Sequence, residues 1–159
     1  MGTLVKLEPP VEPLRRELKL RFGVKVSVSE AEGAIAAEIT YYRAHMDEGR
    51  DPAGVEALRR RCAEALREAL PPSTGLRDVD GEALTEALLA SLRFSAFADA
   101  SPALSRARGR GERVIVVSNW DSSLARVLER VGLAPLLDRV ITSAGVGGPP
   151  TWDRQACSA

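Results

Sequence analysis

A chain of 159 residues is one modest domain, or one small core carrying an inserted subdomain. Hydrophobic residues make up 45% and charged residues 28%, the balance of a soluble globular protein. Lys plus Arg equals Asp plus Glu at 22 each, so no global charge recruits nucleic acid or an anionic membrane. The local basic clusters, Arg59-Arg60-Arg61 and Arg106 to Arg113, lack aromatics and read as solvated helix faces and a loop. No apolar run approaches membrane-spanning length, and the N-terminus lacks a signal-peptide core. Cys62 and Cys157 lie far apart with no C-x-x-C spacing, so neither a disulfide framework nor a zinc site is indicated. A reducing cytoplasm is the default compartment.

In chain order, M-G-T-L-V-K-L opens the sequence without an apolar run ahead of Gly2. Pro9, Pro10 and Pro13 punctuate a turn and open a helix whose apolar face is Leu14, Leu18 and Phe22, with Gly23 at its stop. Ser27 or Ser29 caps the next helix, where Ile35, Ile39, Tyr42 and Met46 recur at helical spacing. Gly49 and Pro52 separate it from a third helix with Val55, Leu58, Cys62, Leu66 and Ala69 on one side. Cys62 falls on that stripe and reads as a core thiol. A loop, Pro71 to Gly75, leads to a fourth helix from about Asp80 that carries Leu84, Leu88, Leu89 and Leu92. From Phe94 an aromatic, a turn and Leu104 lead to glycines at 109 and 111. These glycines precede a strand rather than follow it, so the dinucleotide fingerprint is absent.

Val114 to Val117 are four β-branched residues, which predict a short strand buried on both faces. Ser118, Asn119, Trp120 and Asp121 follow, then a helix with Leu124, Val127, Leu128 and Val131, stopped by Gly132. Val140-Ile141 predicts a second strand. A strand–turn–helix–strand unit implies a parallel sheet with a right-handed crossover, and in such sheets ligands bind outside the carboxyl ends of the strands. Ser118 sits there, beside backbone N–H groups at a helix start. Residues of these types also serve as plain turn and cap residues, with Asp121 or Ser122 the candidate N-cap.

The stretch V-I-V-V-S-N-W-D, followed by L-x-x-V-L-x-x-V-G-L and a strand leading to T-S-A, resembles the second motif of the haloacid dehalogenase-like hydrolases, in the branch with helical caps. Gly2-Thr3-Leu4 matches the last three positions of that family's opening motif. Met1 would hold the motif's second position, with the nucleophilic Asp two residues before it, so the chain is expected to start too late. The competing expectation is that Met1 is the true start of a diverged protein. The resemblance implies an α/β fold: a partial Rossmann-like parallel-sheet core with an inserted α-helical cap. Residues 1–10 and 94–159 would be the incomplete core and 11–93 the cap, which closes over the crevice and excludes water. Tyr41, Tyr42, Arg43 and His45 are the cap residues to test for substrate contact, with Tyr42 ranked last because it lies on the apolar face.

What the resemblance implies about function follows from the same motifs. The chain would be a hydrolase, most often a phosphatase, acting on a small phosphorylated or carboxylate substrate through a covalent aspartyl intermediate. Ser118 would orient the substrate oxyanion and Asn119 would shape the pocket. Mg²⁺ is the family's cofactor, but the acidic pair that binds it is not found, nor is any lysine after Lys25; Arg154 does not match the lysine position. The chain alone is therefore expected to be inactive. Two rivals stand beside this reading: a non-catalytic interaction module made of the helical cap and core remnant, and a ligand-binding doubly wound domain outside the family.

Overall fold

Amphipathic helices in series must bury their stripes against one another, and short apolar strands must find edge partners. The computed structural model describes residues 3–146, in which both demands are met. Met1, Gly2, the expected lysine position, Arg154 and Cys157 lie outside the described residues.

Strand β1 (Val5–Leu7) pairs antiparallel with β2 (Phe94–Ala96), in the register Val5↔Ala96, Lys6↔Ser95 and Leu7↔Phe94. Bonds from Glu8 N–H to Arg93 O (2.8 Å) and Phe97 N–H to Leu4 O (3.0 Å) extend this ladder at both ends. The chain thus leaves and re-enters at one place. Neither strand is visible in the sequence pattern, because three residues are too few to show alternation.

Between them run α1 (Val11–Phe22), α2 (Val28–His45), α3 (Pro52–Ala69) and α4 (Gly81–Ser91). Each begins and ends where its local chemistry dictates. Gly23 adopts φ +70°, the left-handed conformation that closes α1. Ser27, not Ser29, caps α2 in a reciprocal box: Glu30 N–H donates to Ser27 Oγ (3.2 Å) and Ser27 N–H to Glu30 Oε2 (2.7 Å). Asp51 accepts from Gly54 N–H at 2.8 Å with Pro52 in the first turn of α3, and Asp80 accepts from Ala83 N–H at 3.0 Å for α4. Leu14, Leu18, Ile35, Leu58, Leu66 and Leu88 meet in one buried cluster.

After β2 come α5 (Ala100–Gly109), β3 (Ile115–Ser118), α6 (Leu124–Arg130), β4 (Arg139–Thr142) and the short α7 (Ser143–Val146). Strands β3 and β4 are parallel, with Val116 opposite Val140 and Ser118 opposite Thr142. A second buried cluster joins Val5, Leu104, Trp120, Leu124, Leu128 and Leu133. Gly132 ends α6 at φ +78°.

One expectation about β3 is corrected. It was predicted to be buried on both faces, yet Ile115 and Val117 are 49% and 46% exposed. Side chains alternate across a strand, so Val114 and Val116 turn into the second cluster while Ile115 and Val117 face outward. Among the described residues no layer covers that outer face. The architecture is α/β with a parallel-strand core and a helical cap.

Candidate functional site

Ser118 ends β3 and is half-buried, and Asn119 beside it is exposed. Ser118 shares its side of the sheet with Val116, Val140 and Thr142, since paired residues on parallel strands point the same way. It lines a cavity of about 330 Å³ whose other walls include Thr3, Leu4, Val116, Trp120 and Leu128. The G-T-L end of the chain and the S-N-W-D turn thus meet in space. No carboxylate lines this cavity among the described residues.

The turn itself is pinned from two directions. Trp120 N–H donates to Ser143 Oγ (3.3 Å) and Ala144 N–H donates to Trp120 O (3.4 Å), so the T-S-A stretch braces it from β4. From the cap side, Ser122 N–H donates to Gly49 O at 2.8 Å and Tyr42 Oη donates to Asp121 Oδ2 at 3.2 Å. Gly49 is required here on steric grounds: a Cβ on it would stand 2.7 Å from Asp121 Cβ.

These contacts change the reading of the helix start. Neither Asp121 nor Ser122 is the N-cap; Ser123 occupies that position without a side-chain bond. Asp121 Oδ1 accepts from Ser123 N–H at 2.7 Å, a local turn of the kind Asp favours. The N–H groups of Ser122, Ser123 and Leu124 are therefore engaged with Gly49 O, Asp121 Oδ1 and Asp121 O. The donors expected beside Ser118 at the helix start are to that extent already used.

The cap residues sort differently from their sequence ranking. Tyr42, ranked last, lines a second cavity of about 170 Å³ between α2, α3, α4 and the S-N-W-D turn, and Arg43 lines it too. Tyr41 and His45 do not reach it. They stack on each other at 4.1 Å between ring centroids, along a groove with Ala65 and Ala69 of α3. His45 Nδ1 lies 2.8 Å from Tyr41 O. The apolar face of α2 is the wall of the cavity, so a position on that stripe is the one that faces it.

Glu38, Arg59 and Arg130 line the same cavity, and sequence reasoning missed all three. Glu38 carried a usable signal, since it falls on the stripe Ala31, Ala34, Ile35, Glu38, Tyr42 and is only 5% exposed. Burial pushes its carboxyl up to about 7, with the Cys62 thiol beside it pulling the other way. Burial likewise pushes Cys62 up to about 12, consistent with an inert core thiol. Tyr42 is pushed above the ordinary phenol range, first by burial and then by the negative charge of Asp121. Among the described residues no three His, Cys, Asp or Glu side chains converge as a metal site. No helix among them is long and apolar enough to cross a membrane.

No protein-family model matches the chain, and no curated protein matches it. Solved structures do. An L-2-haloacid dehalogenase superposes with TM-score 0.55 and 20% identity, over 94% of this chain and 63% of that one. A dehalogenase with its intermediate complex superposes with TM-score 0.53 and 21% identity, over 94% of this chain and 62% of that one. The chain therefore spans less than two thirds of the length of these dehalogenases. At such identities the likeness is one of fold: the chain shares the fold of the matching part of these dehalogenases, with a parallel-strand α/β core and a helical cap.

Proposed function

We propose that the chain forms part of a hydrolase acting on a small-molecule oxyanion, a phosphomonoester first and a 2-halocarboxylate second. Residues 1–10 and 94–159 serve as its core and 11–93 as its cap. The observation that carries the reading is the meeting of Thr3-Leu4 with Ser118 in one cavity at the carboxyl end of β3. The superposed dehalogenases, one described as an L-2-haloacid dehalogenase, support hydrolysis at a site of this kind.

In this reading the Ser118 hydroxyl donates to a non-bridging oxygen of the phosphoryl group, or to the substrate carboxylate, and the exposed Asn119 next to it in the chain shapes the approach. A carboxylate nucleophile from outside the described residues attacks phosphorus or the halogen-bearing carbon, the bond to the leaving alcohol or halide breaks, and water later hydrolyses the resulting enzyme phosphate or enzyme ester to free the product and restore the carboxylate.

The test uses the full-length gene product, assayed with p-nitrophenyl phosphate and with 2-chloropropionate. One class should turn over, and Ser118→Ala should lower kcat/KM by about 10²-fold with an unchanged melting temperature. Turnover of neither class, or a variant as fast as wild type, would overturn the proposal.

A further inference from the structure

The cavity between the cap helices and the S-N-W-D turn shares only Trp120 with the cavity at Ser118. Three arginines line it: Arg43 from α2, Arg59 from α3 and Arg130 from α6. Among the described residues none of the three makes an ion pair or a side-chain hydrogen bond. A guanidinium carries five donors, and those of half-buried Arg59 meet no protein acceptor among the described residues, which leaves them free for a ligand entering from solvent.

The acids nearby offset only part of this charge. Asp121 supplies one negative charge, held in place by Ser123 N–H and Tyr42 Oη, and makes no direct ion pair with the three arginines. Glu38 is buried and holds its proton up to about pH 7. Arg59 is itself depressed below the ordinary arginine range, first by burial, while the neighbouring Arg126 and Arg130 add repulsion against the pull of Asp121. The cavity therefore holds more positive charge than its own acids offset. The rest of its wall is mainly apolar, with Leu88, Leu92, Phe94, Trp120 and Val127.

We propose that this cavity is a binding site for a small amphiphilic anion, with a carboxylate or phosphate head on Arg59 and Arg130 and an apolar body of about six carbons against Trp120 and Leu92. The size fits: 170 Å³ is slightly more than the roughly 150 Å³ that holds a benzene ring. Arginine recognises either head group through paired N–H donors. The inference goes beyond the hydrolase reading and does not rest on it.

The experiment is calorimetric titration of the full chain with benzoate, and with benzyl alcohol and benzylammonium as neutral and cationic counterparts. Benzoate should bind at least about tenfold more tightly than either. Arg59→Met, which keeps the stem and removes the charge, should weaken benzoate about tenfold, and Arg130→Gln on the exposed rim should weaken it several-fold. Ser118→Ala should leave benzoate binding unchanged. If Arg59→Met does not fold, the Arg43→Gln/Arg130→Gln pair decides the matter by the same loss. Equal binding of benzyl alcohol, no binding of benzoate, or indifference to the arginine changes would overturn the proposal. A loss confined to Ser118→Ala would also overturn it, placing the anion in the other cavity.

Discussion

Glu38→Gln should make the stability of this protein nearly independent of pH over a window where the wild type loses it. The carboxyl rises from its reference value of 4.5 to about 7 in the folded state, because burial disfavours its charged form. Between those values the native state binds a proton that the unfolded state has released, so wild-type stability falls as pH rises. A shift of that size corresponds to about 3 kcal/mol, fully present below pH 4.5 and lost above pH 7. The amide has nearly the same shape and no charge, so the variant does not share this loss. Cys62 does not interfere, since it is pushed up to about 12 and titrates outside the window. The assay is urea unfolding of both proteins at pH 5, 6, 7 and 8. Near-equal stability at pH 5 and a variant about 2–3 kcal/mol more stable at pH 8 would support the reasoning. Parallel curves across the whole range would refute it, because Glu38 would then be ionised in the fold at no cost.

Tyr42→Phe deletes the hydrogen bond to Asp121 and should cost about 1–2 kcal/mol in urea unfolding, as expected for a partly buried bond to a carboxylate. Gly49→Ala forces a Cβ to within 2.7 Å of Asp121 Cβ and 3.3 Å of Val55 Cγ2, and should lower stability by about 1–3 kcal/mol, read as a drop in melting temperature. Leu66→Ala opens a hole among fully buried side chains and should cost about 2–5 kcal/mol by the same unfolding assay. Cys62 should resist iodoacetamide in the native protein and react only on unfolding, followed by mass spectrometry of its peptide.

Most helix boundaries were legible because they rest on local chemistry. Gly23, Pro52, Asp80 and Gly132 each act within a few residues of where the helix turns on or off, while the choice of Ser27 over Ser29 and the Asp51 cap emerged only with the structure. The parallel β3–β4 unit was legible for a related reason: a strand, a stopped helix and a second strand allow few connections. What was not legible depends on distant partners. The β1–β2 ribbon joins residues far apart in sequence through three-residue strands, too short for a period-2 signal. The outer face of β3 looked buried because Ile115 and Val117 are as apolar as Val114 and Val116, and composition does not say which layers are present.

The site divides along the same line. The place of Ser118 and Asn119 at the end of β3 was readable from the switch from an apolar run to a polar turn. Tyr42 was ranked last because an apolar-stripe position was equated with the cap's own interior. Arg59 and Glu38 were passed over because a charge in a helix reads as solvated until the facing element is known. Asp121 looked like a helix cap and is instead the tie between the turn and the cap helix.

The central claim is that an oxyanion binds beside Ser118 at the end of β3. The most direct measurement is amide chemical-shift mapping of the ¹⁵N-labelled chain titrated with inorganic phosphate. The account predicts saturable shifts at Thr3, Ser118, Asn119 and Thr142, lost in Ser118→Ala while the remaining spectrum is preserved. Shifts confined to the arginine-lined cavity, or none at Ser118 and Asn119 at any phosphate concentration, would contradict it.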